Sequence, residues 1–315
     1  MRNQNSIVII LFLIAAIFFI TQQAGIFQRF FSSNPGISLQ AVITPSIMTS
    51  QTPTPTPTPI PIPTPTPTPS KHSVPTSEAS AGIWQPALDT SWQWQLTAPV
   101  DQSVDAQVYD IDGFDNAASV VSSLHAQGRK VICYIDAGTY ENWRPDASQF
   151  PSSVKGNGVD GWAGEQWLDV RNLAVLGPIM QARMDMCKTK GFDAVELDNM
   201  DGYTNTTGFP LTASDQLTYN TWIANQAHAR GLSVGLKNDL DQITQLLPFF
   251  DWELDEQCFQ YNECDQLQPF IAAGKAVFEV EYSLDTNQFC AQANALNFNS
   301  LKKDLNLDVT RAACR

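Results

Sequence analysis

Between residues 81 and 315, short apolar runs of strand length alternate with stretches whose apolar residues recur at helical spacing. Strand-type runs fall at 91–96, 106–111, 130–136, 166–170, 192–198, 232–237, 251–256 and 275–282. Helical periodicity covers 117–127, 173–190, 214–230, 240–247 and 264–273. Several of these helices stop at a glycine just ahead of the next strand, at Gly128, Gly191, Gly231 and Gly274. A glycine there supplies the left-handed cap that ends a last turn. Strands in a repeated helix, glycine, strand cadence predict an α/β fold, a (β/α)8 barrel of the TIM type. The stretch joining Trp94 to Val108 is too short and polar for a full helix, so the barrel is expected to be irregular at its first connection. An open doubly wound sheet is the competing architecture. No glycine-rich dinucleotide loop follows the first strand, which weighs against it.

The rest of the chain has a different character. Residues 1–31 carry Arg2 and then an uncharged apolar run over 7–20, the pattern of a secretory signal peptide. Extended through Gly25, Ile26 and Phe27, the same run approaches the roughly 20 residues of a membrane span, so an anchor is the alternative. Residues 32–80 are rich in Ser, Thr and Pro, with Thr-Pro repeated almost perfectly from Thr52 to Pro69. Alternating proline fixes φ and removes donors, which predicts an extended disordered linker without a core. All eight tryptophans and all six cysteines lie in residues 81–315, a length that suits one barrel domain. Six cysteines in an exported chain predict disulfides. The nearest pairing, Cys258–Cys264, Cys290–Cys314 and Cys133–Cys187, is one of several arrangements open to them.

The formal net charge of −14 argues against nucleic acid or an anionic membrane surface as the ligand. A neutral or cationic substrate is favoured. No serine nucleophile elbow and no zinc-type cysteine spacing is present. The run Asp110-Ile111-Asp112-Gly113-Phe114-Asp115 lacks the full ligand spacing and closing glutamate of a calcium loop. His72, His125 and His228 do not cluster. Neither a metal nor a cofactor is expected, and nothing indicates a protein partner.

In a barrel, catalytic groups sit at the C-terminal ends of strands. Those ends here carry Asp110 and Asp112, Asp136, Asp169, Asp198 with Asn199, Lys237 with Asn238, Glu256 with Gln257, and Glu279 with Glu281. Two stretches share one design, an apolar strand ending in acids: Gly191 to Tyr203 around Asp198, and Trp252-Glu253-Leu254-Asp255-Glu256-Gln257. Paired carboxylates on neighbouring strand ends are what glycosidic bond cleavage requires.

Several motifs then occur in a specific order: Trp92-Gln93-Trp94-Gln95-Leu96, Val108-Tyr109-Asp110-Ile111-Asp112, Val131 to Gly138 followed by Glu141 and Arg144, Gly191 to Asp201, Gly235-Leu236-Lys237-Asn238, and Glu253 to Cys264. With these motifs the domain resembles glycoside hydrolase family 114, the endo-α-1,4-polygalactosaminidases, over essentially all of residues 84–315. The resemblance implies Asp198 and Glu256 as the catalytic carboxylates. It also implies a cationic amino-sugar polysaccharide as the partner.

The chemistry of the residues leads to the same pair. One carboxyl must donate a proton to the leaving oxygen while the other, ionised, attacks the anomeric carbon or activates water. Asp198 is expected as nucleophile or base and Glu256 as acid, with Lys237 and Asn238 holding the ionised member. A retaining outcome is favoured slightly. Asp110, Asp112, Asp136, Glu279 and Glu281 are expected to bind sugar ammonium groups. Trp94, Trp143, Trp167, Tyr134 and Tyr203 offer ring faces, and Asn199 and Gln257 complete the substrate-binding set. Competing functions are an exported hydrolase of neutral α-galactosides, and a carbohydrate-binding barrel without catalysis.

Overall fold

The computed structural model describes residues 82–315, so the expected signal or anchor and the Thr-Pro linker lie outside the described residues. In chain order, β1 (Trp92–Gln95), β2 (Val108–Asp112), α1 (Ala118–Ala126) and β3 (Lys130–Asp136) begin the fold. Next come β4 (Thr139–Glu141), β5 (Lys155–Val159), β6 (Trp162–Leu168), α2 (Leu173–Lys190), β7 (Ala194–Asp198), α3 (Ala213–Ala229) and β8 (Ser233–Lys237). The remainder is α4 (Ile243–Leu246), β9 (Trp252–Glu256), α5 (Cys258–Tyr261), α6 (Gln268–Ala272), β10 (Val277–Glu281), α7 (Thr286–Ala295), β11 (Asn299–Lys303) and β12 (Arg311–Ala313). One nine-stranded sheet runs β1-β2-β3-β7-β8-β9-β10-β11-β12. Every pairing in it is parallel except the last, between β11 and β12. The result is a (β/α)8-type barrel with no helix between β1 and β2, as the short first connection required.

The ring has a seam between β1 and β11, where no strand ladder forms. Side chains and the chain after β11 bridge it instead. Trp92 Nε1 donates to the Asn299 carbonyl at 2.7 Å, Gln93 Nε2 to the Val309 carbonyl at 2.9 Å, and Leu96 N to the Leu307 carbonyl at 3.0 Å.

Two expectations need correcting. Residues 166–170 are not a barrel strand: β6 pairs antiparallel with β4 and β5 in a separate three-stranded sheet. The missing barrel strand is β11, preceded by α7, and neither has the expected periodicity. The β11 residues Asn-Ser-Leu-Lys-Lys read as polar, yet Asn299, Ser300 and Lys303 are buried. The strand bearing Asp198 is therefore fourth around the ring, and that bearing Glu256 sixth.

Strand alternation divides the core in two. Val195, Leu197, Val234 and Leu236 point outward against helix residues such as Leu176, Met180 and Ile223. Trp92, Trp94, Ala194, Trp252 and Phe278 point inward and plug the barrel floor. There the Phe278 ring centroid lies 4.7 Å from that of Trp92 and 5.5 Å from that of Trp252. Gly235 makes room for Trp252, since a Cβ at that position would sit 2.3 Å from the indole. The three disulfides are Cys133–Cys187, tying β3 to α2, with Cys258–Cys264 and Cys290–Cys314. Among the described residues no helix is long and apolar enough to cross a membrane.

Gly235→Ala is expected to lower unfolding free energy by about 1–3 kcal/mol through overpacking against a ring that cannot move. Urea denaturation checks this, with the exposed Gly158→Ala, whose added Cβ meets nothing closer than 3.7 Å, as the neutral comparison.

Candidate active site

Three successive strands of the ring build the site. β7, β8 and β9 end on inward-facing Asp198, Lys237 and Glu256. Each is followed by a residue in the left-handed region: Asn199 at φ 61°, Asn238 at φ 51° and Gln257 at φ 68°. Left-handed backbone is disfavoured for residues with a Cβ, least so for Asn, and it bends each chain sharply over the rim. The strand ends are thus stopped at one height. The chain leaving β3 packs against this rim so closely that a Cβ on Gly138 would lie 1.7 Å from the Asn199 carbonyl oxygen.

Lys237 is the hub. Its ammonium, 2% exposed, lies 2.8 Å from Asp198 Oδ1, 3.1 Å from Glu256 Oε2 and 3.3 Å from Glu196 Oε1, and 4.9 Å from the centre of the Trp94 ring. Burial alone would lower its pKa. The charges of Asp198, Glu256 and Glu196 outweigh burial and hold it well above the usual lysine value. Asp198 shows the converse. Burial pushes its pKa up, but the Lys237 charge and hydrogen bonds from Lys237, Tyr134 and the Asn199 N–H hold it below the usual carboxylate range. The Tyr134 hydroxyl donates to Asp198 Oδ2 at 2.9 Å.

Glu256 is held by a different set of donors. The Tyr282 hydroxyl donates to Oε1 and Asn238 Nδ2 to Oε2 at 3.3 Å, while Glu256 N donates to Asn238 Oδ1 at 3.0 Å. Beneath the pair, Glu196 accepts from Trp94 Nε1 at 3.1 Å. Its pKa is raised to about 7, chiefly by burial.

Above this hub opens a cleft of about 580 Å³. Asp198, Asn199, Lys237, Asn238, Glu256 and Gln257 line its centre, with Trp94, Tyr134 and Tyr282. On one side stand Trp143 and Trp162, 51% and 54% exposed, the latter at the start of β6. Leu305 and Leu307 form a wall near the seam. Asp112 and Glu141 also reach the cleft, each within 2.7 Å of Arg144. A smaller pocket of about 260 Å³ adjoins, sharing Asp201, Asn238, Glu256 and Tyr261 with the cleft.

Not every expected binding residue reaches the cleft. Glu279 and Glu281 are corrected outright: on β10 the inward residues are Phe278 and Val280, so these two glutamates point away from the lumen. Glu281 Oε1 instead accepts from Phe259 N at 2.9 Å and Gln260 N at 3.1 Å at the start of α5. Asp110 is fully buried in the lumen next to Glu196, where burial and then the Glu196 charge raise its pKa well above normal. Asp136 is a brace. It accepts from Gly138 N, Thr139 N, Thr139 Oγ1 and Asn199 Nδ2, which leaves it no free face. Trp167 is buried on β6, and Tyr203 lines the smaller pocket with its hydroxyl on Asp239 Oδ1 at 3.1 Å.

Sequence reasoning missed Tyr282, although it continues the inward series Phe278, Val280. It also missed Trp162 and Glu165, which ride on the small sheet. Glu165 lines the cleft with a pKa raised to about 7, first by burial and then by the charge of Glu141. A two-residue Asp160-Gly161 turn joins β5 to β6, and that dipeptide between strand-like runs was the available signal for this hairpin.

The family model for glycoside-hydrolase family GH114 matches residues 73–315. Among solved structures, Ega3 of Aspergillus fumigatus, in a crystal structure of its complex with galactosamine, is 44% identical with a TM-score of 0.70, covering 73% of this chain and 97% of that one. The glycoside hydrolase domain of PelA from Pseudomonas aeruginosa is 12% identical with a TM-score of 0.56, covering 71% and 97%, a likeness of fold. A search of curated proteins finds no match. The chain belongs to glycoside-hydrolase family GH114 and is a glycoside hydrolase.

Proposed function

We propose that the protein is an exported endo-glycosidase that hydrolyses α-1,4-linked galactosamine-containing polysaccharide, with Asp198 and Glu256 as its catalytic carboxylates. The observation that carries this reading is the pair of carboxylates held by one ammonium, Lys237, at the floor of an open cleft. The galactosamine bound by the 44%-identical Ega3 supports the choice of sugar. Three disulfides suit an oxidising compartment.

The division of labour follows from charge. One ammonium neutralises one carboxylate, and the lowered pKa of Asp198 makes it the member that stays ionised. Glu256 takes the part of the acid, giving a proton to the glycosidic oxygen as the bond to the anomeric carbon breaks. Two oxygens within 2.8 and 3.1 Å of a common nitrogen are no more than about 6 Å apart. That spacing favours a retaining pair, about 5–5.5 Å apart, over an inverting pair at roughly 6.5–9.5 Å. Asp198 accordingly attacks the anomeric carbon to give a glycosyl-enzyme ester. Glu256, now ionised, takes a proton from the water that cleaves the ester and releases Asp198.

Asp198→Asn and Glu256→Gln are each expected to cut oligosaccharide release from deacetylated galactosaminogalactan by about 10²–10⁴-fold. Release at the parent rate by both variants sinks the assignment. A neutral α-galactan tested alongside separates this reading from a neutral galactosidase, which would cleave it as readily.

Lys237→Met tests the hub. Loss of the ammonium lets burial raise the Asp198 pKa, so the acidic limb of kcat/KM against pH should move to higher pH, by at least a unit for a loss of about 1.4 kcal/mol. An unmoved limb with reduced kcat would assign Lys237 a purely structural task.

A further inference from the structure

Two buried carboxyls beneath the catalytic pair take no part in the steps above. Asp110 on β2 and Glu196 on β7 are both 0% exposed, and neither lines the cleft. No N–H or hydroxyl among the described residues donates to either oxygen of Asp110. Its hydrogen-bond neighbour is the Glu196 carboxyl, and two carboxyls in contact hold together only with a proton between them. Asp110 thus carries a proton and donates it to Glu196. Glu196 in turn accepts from Trp94 Nε1 at 3.1 Å and lies 3.3 Å from the Lys237 ammonium.

The charge count at that ammonium does not close with every carboxyl ionised. Asp198, Glu256 and Glu196 lie 2.8, 3.1 and 3.3 Å from one buried nitrogen. Three carboxylates around one ammonium leave two negative charges out of water, and such a set keeps a proton instead. Asp198 is not its carrier, because burial is outweighed there by the Lys237 charge and by hydrogen bonds from Lys237, Tyr134 and the Asn199 N–H. The proton is divided between Glu196 and Glu256. The titratable groups facing Glu196 are Asp110 on β2, Tyr134 on β3, Asp198 on its own strand, Lys237 on β8 and Glu256 on β9. Burial first, opposed by Lys237 and the Asp110 hydrogen bond and aided by the charges of Asp198 and Glu256, raises Glu196 to about 7.

We propose that Glu196 is a positioning residue for the acid step: across the Lys237 ammonium it holds in common with Glu256 the proton that reaches the glycosidic oxygen. This rests on the assignment of Asp198 and Glu256 in the preceding subsection. Lys237 gives one proton to Glu256 Oε2 as Glu196 gives its own to Nζ, so the ammonium ends with the three protons it began with. Glu196 is then the carboxylate and Glu256 the acid. Glu256 protonates the leaving oxygen, takes a proton back in the water step, and returns it to Glu196 by the reverse exchange. The third carboxyl keeps an acid available at a pH where a lone carboxyl beside an ammonium is ionised.

Glu196→Gln keeps the shape of the side chain but can neither hold nor release this proton. With two carboxyls left at the ammonium instead of three, the last proton should leave at lower pH. The alkaline limb of kcat/KM on deacetylated galactosamine polymer should then move down by about one pH unit or more. Above that limb the variant should lose about tenfold on the polymer, and less on a galactosamine oligosaccharide with a dinitrophenyl leaving group, which departs without a proton. Asp110→Asn still donates to Glu196 and should keep the parent's limb. A second measurement needs no active variant: NMR of protein with isotope-labelled glutamate carboxyls, titrating Glu196 in the parent and in Glu256→Gln. Removing the other holder of the proton should lower the Glu196 midpoint by about one pH unit or more. An unmoved limb, equal losses on both substrates, or an unmoved Glu196 midpoint overturns the proposal while the hydrolase reading stands. A limb moved by Asp110→Asn assigns the proton to Asp110 and overturns it too. No cleavage of the polymer by the parent overturns both.

Discussion

A single buried ammonium organises the upper half of the barrel. Taking the Lys237 ammonium out of water costs several kcal/mol before any attraction is counted. The arrangement persists because each charge meets a donor or counter-charge: Tyr134 for Asp198, Tyr282 and Asn238 for Glu256, Trp94 for Glu196. Asp198, Lys237 and Glu256 come from three adjacent parallel strands, so the sheet register sets their separation. A loop-borne constellation would have to be fixed side chain by side chain. The same ammonium keeps Asp198 ionised and draws Glu256 beside it, so the structural and chemical tasks of Lys237 are inseparable.

Much of this was legible in the chain because parallel strands buried on both faces read as apolar runs, and the acids at their ends stood out. Asp198, Lys237 and Glu256 fall at the last inward position of their strands, and the Asn or Gln after each marks a left-handed turn. What failed was parity. Glu279 and Glu281 stand at a strand end as Glu256 does, but one residue out of phase, and a one-residue phase error turns a side chain from lumen to outer layer. Phase is readable only if the inward apolar series is identified first. In β10 that series is Phe278, Val280 and then Tyr282, and the two glutamates alternate with it.

The other failures have different causes. Residues 166–170 have strand propensity but not barrel partners, and propensity says nothing about which sheet a strand joins. β11 was invisible because its buried residues are polar. Lys303 Nζ donates to the Asp308 carbonyl at 2.6 Å, and Asn299 Oδ1 accepts from Arg315 at 2.8 Å, partners that appear only in three dimensions. The acids of the smaller pocket, Asp239, Asp241 and Glu263, lie at or in short 3-10 turns beyond the strands, so they have no strand-end signature.

The seam of the barrel ties the wall of the cleft to closure of the ring. Trp92 and its acceptor Asn299 are 207 residues apart, and the segment that joins Leu96 and Thr97 across the same seam, Leu305 to Leu307, is also a wall of the cleft. The Cys290–Cys314 bridge pins the strand that follows it. Asp198, Lys237 and Glu256 stand on consecutive strands away from the seam, yet the cleft above them has its Leu305 and Leu307 wall only where the chain after β11 crosses that seam. Closing the ring and walling the cleft are thus done by the same few residues.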